Sequence, residues 1–364
     1  MGRWASTGFL AIFITIAIAI AIVMNLIIPA GAHKGLEVGF YRNSCPEVET
    51  IVYKSMAQSY KTNMTVAPGV LRLAFHDCFV RGCDAFVLLD GPNTERKSVL
   101  NGGLHGYDAV DAAKRATEKA CPGIVSAPDV LQFAARDSVI LASYPPDLWI
   151  TIPEHITSHT VRLIIRLSFL TCGSRLASPD WRLPMERARW ASRRDDFPHH
   201  GGNGCEPRPS EHDPVSTRSK VPGEGLERSL MVVLSGFHTI GKAPCLTFDD
   251  RVQTNPVDPT LAPSFAASLK KQCLYAQITS TKVALDSTPR RFDTQYFKDI
   301  IQGRGVLISD QELLYDSRTV GVVRANKGSA FYRNFGEAMV AMSELGVLTD
   351  GSGEIRRQID QVNT

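Results

Sequence analysis

Apolar residues recur along most of this chain at helical rather than alternating spacing. Val48, Ile51, Val52 and Met56 put one apolar stripe on a helix over 46–60, with Glu47 and Glu49 in its first turn, where acidic side chains suit the helix dipole. Leu71, Phe75 and Phe79 predict a second helix over 70–79. Further helical patterns run over 107–118 and 127–141. Ser126 and Asp129 frame the start of the latter, and Pro128 is tolerated in a first turn. The pattern returns at 230–235, where Gly236-Phe237-His238-Thr239-Ile240-Gly241 ends it. It resumes over 263–273 and 331–345, with a short helix predicted at 310–314. Between 144 and 228 no period is sustained, and Pro, Arg, Gly and His are frequent. With no internal repeat and no set of alternating strands, the chain reads as one mostly α domain with a disturbed middle.

The longest apolar run is different in kind. Phe9 to Ile28 is broken only by Thr15 and Asn25, follows Arg3, and ends in Pro29-Ala30-Gly31-Ala32. A basic head, an apolar run and a small-residue ending describe a signal peptide over 1–32, and the run is also long enough for a retained membrane anchor. Export changes the meaning of the eight cysteines, which outside the cytosol read as disulfides rather than a zinc site. It also makes Asn63-Met64-Thr65 a usable glycosylation sequon. The composition, 44% apolar and 21% charged over 364 residues, suits a globular protein with a large core. A net charge of +3 without a Lys/Arg block argues against nucleic acid as a partner.

Candidate chemistry concentrates in 70–90, VLRLAFHDCFVRGCDAFVLLD. On a helix, Arg72 and His76 lie one turn apart and point a guanidinium and an imidazole into the same space. Asp77-Cys78 and Cys83-Asp84 then bracket a short loop, and a bridge there would pin both carboxylates around one hard cation. Taken alone, Arg72 reads better as a surface ion-pair partner and His76 as a satisfied core histidine.

Six motifs decide between these readings: GFYRNSCP at 39–46, LRLAFHDCFVRGCDAFVLLD at 71–90, VLSGFHTIG at 233–241, FDTQYF at 292–297, SDQELL at 309–314 and GEIR at 353–356. In this order they resemble the secreted plant (class III) haem peroxidases over most of 36–363 apart from the middle. The resemblance implies a mostly α haem peroxidase fold, with haem b held between a distal half over 33–143 and a proximal half over 229–364. It implies a monomer, secreted to the cell wall or vacuole, that uses hydrogen peroxide to oxidise phenolic donors in one-electron steps. By the same resemblance His76 is the distal acid–base, Arg72 the charge stabiliser, and Asn101 the residue that fixes the distal imidazole. His238 is the axial haem ligand and Asp310 the carboxylate behind it. Two calcium ions are implied. The distal one falls to Asp77, Val80, Gly82 and Asp84 with Glu95 near it, and the proximal one to Thr239, Asp286, Thr288 and Asp293. The implied disulfides are Cys45–Cys121, Cys78–Cys83 and Cys245–Cys273, and Pro184 falls at the substrate-contact proline.

Several positions depart from that pattern. Ala127 and Ile359 stand where a fourth bridge would have its cysteines, and Cys172 and Cys205 match nothing. Phe86 replaces a serine ligand of the distal calcium, Phe237 replaces a small residue beside His238, and Asp286 and Thr288 stand one residue too close together. After Ser143 the pattern is interrupted by 144–177, resumes only at 179–185, and is lost again until 230. Two readings of this insertion are open: a retained intron followed by a shifted frame, or a genuine long loop, which is rare in compact domains. Besides an active peroxidase, the sequence therefore admits an inactive relative with impaired haem binding, or an extracellular calcium-binding module without redox activity. Sequencing the spliced transcript tests the intron reading: a message lacking this tract supports it, and one encoding 144–228 intact refutes it.

Overall fold

The computed structural model describes residues 36–144, 171–172, 228–274, 280–348 and 353–363. The leader, Pro184, Cys205 and nearly all of the disturbed middle lie outside the described residues.

Four helices form the first half: α1 (Val48–Thr62), α2 (Val66–Cys78), α3 (Tyr107–Ala120) and α4 (Ala127–Ser143). Each overlaps a helix read from apolar spacing. Helix α2 starts earlier than its spacing indicates, because Pro68 falls in the first turn, where no intrahelical donor is lost. Gly69 then lets the 101–106 turn cross closely over the helix, since a Cβ there would lie 2.7 Å from the His105 carbonyl oxygen. Ser126 caps α4 by accepting from the Asp129 N–H at 3.2 Å. Helix α4 is buried on every face from Ala127 to Ala142, and α1 and α2 both pack on it. Its buried Arg136 bonds Asp137 of the same helix and the half-exposed Glu49 of α1.

The second half contains α5 (Arg228–Ser235), α6 (Asp249–Val252), α7 (Pro263–Gln272), α8 (Gln295–Ile301), α9 (Ile308–Glu312), α10 (Val320–Ala325) and α11 (Ser329–Ser343). Helices α6, α8 and α10 are too short to show a period in the sequence. The only strand pairings among the described residues are two antiparallel ladders, β1 (Leu36–Glu37) with β2 (Thr171–Cys172) and β3 (Lys242–Pro244) with β4 (Lys282–Ala284). One hydrophobic core runs through both halves, from Tyr41 to Ile359, and includes a ring cluster of Phe292, Phe297, Phe331 and Phe335. Among the described residues no helix is long and apolar enough to cross a membrane.

Disulfides join Cys45 to Cys121, Cys78 to Cys83 and Cys245 to Cys273. The first spans 76 residues, a closure worth about 4 kcal/mol through the unfolded chain. Absence of a fourth bridge predicts a looser C-terminal tail, yet the tail is anchored by other means. Ile359 and Ala127 are buried in the same core at 2% and 1% exposure, and the Asp90 N–H donates to the Asp360 carbonyl at 2.8 Å. Buried Arg356 donates to the carbonyls of Ile359 at 2.9 Å and Ala85 at 2.8 Å, tying the tail to the loop after α2.

Arg356→Met keeps much of the volume but leaves those carbonyls without their donor. It should cost about 2 to 4 kcal/mol, read as a lower urea midpoint at unchanged slope. An unchanged midpoint would show that the clamp contributes nothing.

Candidate active site

Helix α2 carries Arg72 and His76 on one face, and the Arg72 Nε–H donates to His76 Nε2 at 3.2 Å. Behind the imidazole, Asn101 ends the turn Val99–Asn101 and is 6% exposed. Its Oδ1 lies 2.8 Å from His76 Nδ1, and its Nδ2 donates to the Glu95 carbonyl at 2.8 Å. That second bond fixes the amide orientation. Since Oδ1 can only accept, Nδ1 carries the ring proton and Nε2 is the basic nitrogen beside the guanidinium. Burial pushes the His76 imidazole down to about 4, the Arg72 charge pushes the same way, and the Asn101 bond opposes both.

The other histidine sits on the one-turn helix Gly236–Thr239 that continues from α5. Gly236 is required there, because a Cβ would lie 2.6 Å from the Phe331 ring. His238 Nδ1 is 3.0 Å from both carboxylate oxygens of Asp310, a buried residue of α9. Tyr296 of α8 donates its hydroxyl to Asp310 Oδ1 at 2.8 Å. The carboxylate therefore accepts from two side chains, which fixes its plane and the tautomer of His238.

Two carboxylate groups flank this pair of histidines. After α2, Asp77 Oδ2 accepts from the Ala85 N–H at 2.9 Å and Asp84 Oδ1 from the Phe86 N–H at 2.8 Å. Asp77 Oδ1 and Glu95 Oε1 are buried with no hydrogen-bond partner among the described residues. Burial raises the carboxyls of Asp77 and Asp84, and repulsion from Asp84 raises Asp77 further; burial and Asp84 push Glu95 up to about 8. Val80 and Gly82 lie in the intervening loop, where Gly82 has φ 109° and packs against Gly346. The second group draws together despite the short spacing: Thr239 donates to Asp286 Oδ2 at 2.7 Å and Thr288 to Asp293 Oδ1 at 3.1 Å. Burial pushes Asp286 up to about 7, with Asp293 and Asp299 adding repulsion. Among the described residues no three His, Cys, Asp or Glu side chains close into a metal cage, so each group offers carboxylates mixed with hydroxyl or carbonyl oxygens.

A family model for peroxidase matches residues 52–329. Peroxidase 25 of Arabidopsis thaliana is 36% identical over 341 residues, covering 90% of this chain and 92% of its own length. Peroxidase N1 of Nicotiana tabacum is 34% identical over 342 residues, with 91% of each chain covered. Basic peroxidase of Zinnia elegans is 35% identical over 325 residues, with 88% of each covered. The chain belongs to the peroxidase family. It is a plant class III haem peroxidase, an oxidoreductase with the mostly α fold of that family.

Within this peroxidase, Phe237 does not stay on its own side of the site. Its ring lies 4.3 Å from that of His238 and 5.6 Å from that of Phe75 on α2, and Phe75 is 6.2 Å from His76. An unbroken aromatic path thus joins the two histidines. Tyr296 and Arg356 carry bonds that sequence reasoning did not assign. Both lie inside quoted motifs, but neither motif reveals that the tyrosine hydroxyl reaches Asp310 or that the arginine is buried. Pro184 lies outside the described residues.

Titrating the His76 ring by NMR in the haem-free protein should give a midpoint near 4 rather than 6.5. Below that pH the imidazole is charged and no longer a base. Asn101→Ala should move the midpoint lower still, because the bond it removes favours the charged ring; a midpoint at 6.5 would contradict the burial described. Tyr296→Phe should destabilise the fold by about 1 kcal/mol in denaturant melts, and no loss would mean that its hydroxyl bond adds nothing.

Proposed function

We propose that this peroxidase cleaves hydrogen peroxide at Arg72 and His76 and draws the reducing electrons from phenolic donors in one-electron steps. The observation carrying this reading is the Arg72–His76–Asn101 chain, which pairs a base of fixed tautomer with a permanent cation. His76 Nε2 takes the proton from one peroxide oxygen and hands it to the other, which leaves as water. Arg72 stabilises the negative charge that gathers on the leaving oxygen. Asn101 keeps Nε2 unprotonated between turnovers.

The donor set fits haem b, because an imidazole whose Nδ1–H is given to a carboxylate presents Nε2 as a ligand. Haem, when bound, supplies an iron that accepts the two oxidising equivalents of peroxide. His238 Nε2 would hold that iron, and Asp310, steadied by Tyr296, would make the imidazole more electron-rich. Asp77 and Asp84 with the Val80 and Gly82 carbonyls hold one calcium ion, with Glu95 beside it. Thr239, Asp286, Thr288 and Asp293 hold the second. Asp77 Oδ1, buried with no hydrogen-bond partner among the described residues, supports the distal site, since a cation would relieve its desolvation and the repulsion from Asp84. Pro184 serves as a substrate contact. The protein acts as a secreted monomer in the wall or vacuole, after loss of 1–32, with 144–228 inserted between its halves.

His76→Ala should slow peroxide cleavage about 100- to 10,000-fold while leaving haem bound, measured by stopped-flow absorbance. An unchanged rate constant would refute the role of His76. Removing calcium with EGTA should lower the thermal midpoint, and added calcium should restore it. Asp84→Ala should weaken the response, and a midpoint indifferent to EGTA would contradict both sites.

A further inference from the structure

Arg72, Phe75 and His76 share one face of α2, spaced at i, i+3 and i+4. Across from them stands the turn Gly236–Thr239, which carries His238. Phe237 closes the distance between the two elements. Its ring lies 5.6 Å from that of Phe75, at an interplanar angle of 34°, and 4.3 Å from that of His238. A flat macrocycle held between two rings needs them about 7 Å apart, twice a carbon–carbon contact of about 3.5 Å. Phe75 and Phe237 touch each other instead.

Both walls of this gap are braced. Phe75 leans on Phe79 at 4.4 Å, and α2 packs on the buried helix α4. The opposite turn is wedged from behind at Gly236, where a Cβ would lie 2.6 Å from the buried Phe331 ring and 3.0 Å from the buried Phe297 ring. His238 is fixed in turn by Asp310 at 3.0 Å. Phe237 is half-buried, so rotation between its staggered side-chain positions is the movement left to open the gap.

We propose that Phe237 gates the haem site: its ring fills the gap between α2 and the His238 turn, and haem enters only while that ring is swung toward solvent. This inference rests on the haem reading given above. Uptake then scales with the fraction of time the gap is open, because apparent affinity falls with the population of the competent conformer.

The test adds haem to the full chain freed of haem, as wild type, Phe237→Ala and Phe237→Trp. Titration and stopped flow follow the Soret band, and the thermal midpoint of each haem-free chain is read alongside. Phe237→Ala should tighten haem binding and speed uptake roughly 3- to 10-fold, the weight of one aromatic pair. The same change should lower the haem-free midpoint, because the contact with Phe75 is lost. Phe237→Trp should slow uptake. A lower midpoint together with weaker haem binding in Phe237→Ala would mark a residue that merely packs the core, and overturns the gate. Equal uptake by all three chains, at one haem per chain, also overturns the gate but leaves the haem reading standing. No uptake by any of the three refutes the haem reading and the gate with it. Where Phe237→Ala does not fold, Phe237→Trp against wild type decides: slower uptake supports the gate and unchanged uptake overturns it.

Discussion

An imidazole presents one nitrogen to a reaction only if something holds the proton on the other, and this enzyme applies that constraint twice with different acceptors. Behind His76 the acceptor is the neutral amide oxygen of Asn101, at 2.8 Å; behind His238 it is the carboxylate of Asp310, at 3.0 Å. The neutral acceptor fixes the tautomer without supplying charge, which suits a base that must later release its proton. The carboxylate fixes the tautomer and adds electron density to the ring, which suits the ligand role proposed for His238. Arg72 and Tyr296 complete the contrast. A cation lies beside the basic nitrogen of His76, while a hydroxyl steadies the anion behind His238.

Most of the fold serves to hold these two arrangements in place. The buried helix α4 backs α2, and α9 brings Asp310 to the turn that carries His238. Contact between Phe75 and Phe237 links the histidine-bearing elements directly. On the far side of α2 the loop of Asp77 and Asp84 is pinned by the Cys78–Cys83 bridge, by the approach of Gly82 to Gly346, and by Arg356 from the tail. The carboxylates there are held close by covalent and packing constraints, and burial together with repulsion from Asp84 raises the Asp77 carboxyl.

Long amphipathic helices and the chemistry of 70–90 were legible in the sequence because helical spacing and motif order are local properties. The short helices α6, α8 and α10 left no period to read. The hydroxyl of Tyr296 could not be assigned to Asp310 because their contact depends on how α8 and α9 pack. The tail's contacts were not legible for a related reason. Loss of two cysteines is visible in the sequence, whereas burial of Ile359 and the bonds of Arg356 arise only in three dimensions. The close spacing of Asp286 and Thr288 looked like a defect, yet the turn still brings both residues to Thr239 and Asp293.

The proposed function depends on one haem being held between His76 and His238. The absorption spectrum of the purified, haem-supplemented chain tests this most directly. The account predicts one haem per chain, with a ferric Soret band that shifts on adding one equivalent of hydrogen peroxide and returns on adding a phenol. A chain that is folded by circular dichroism yet takes up no haem would contradict it.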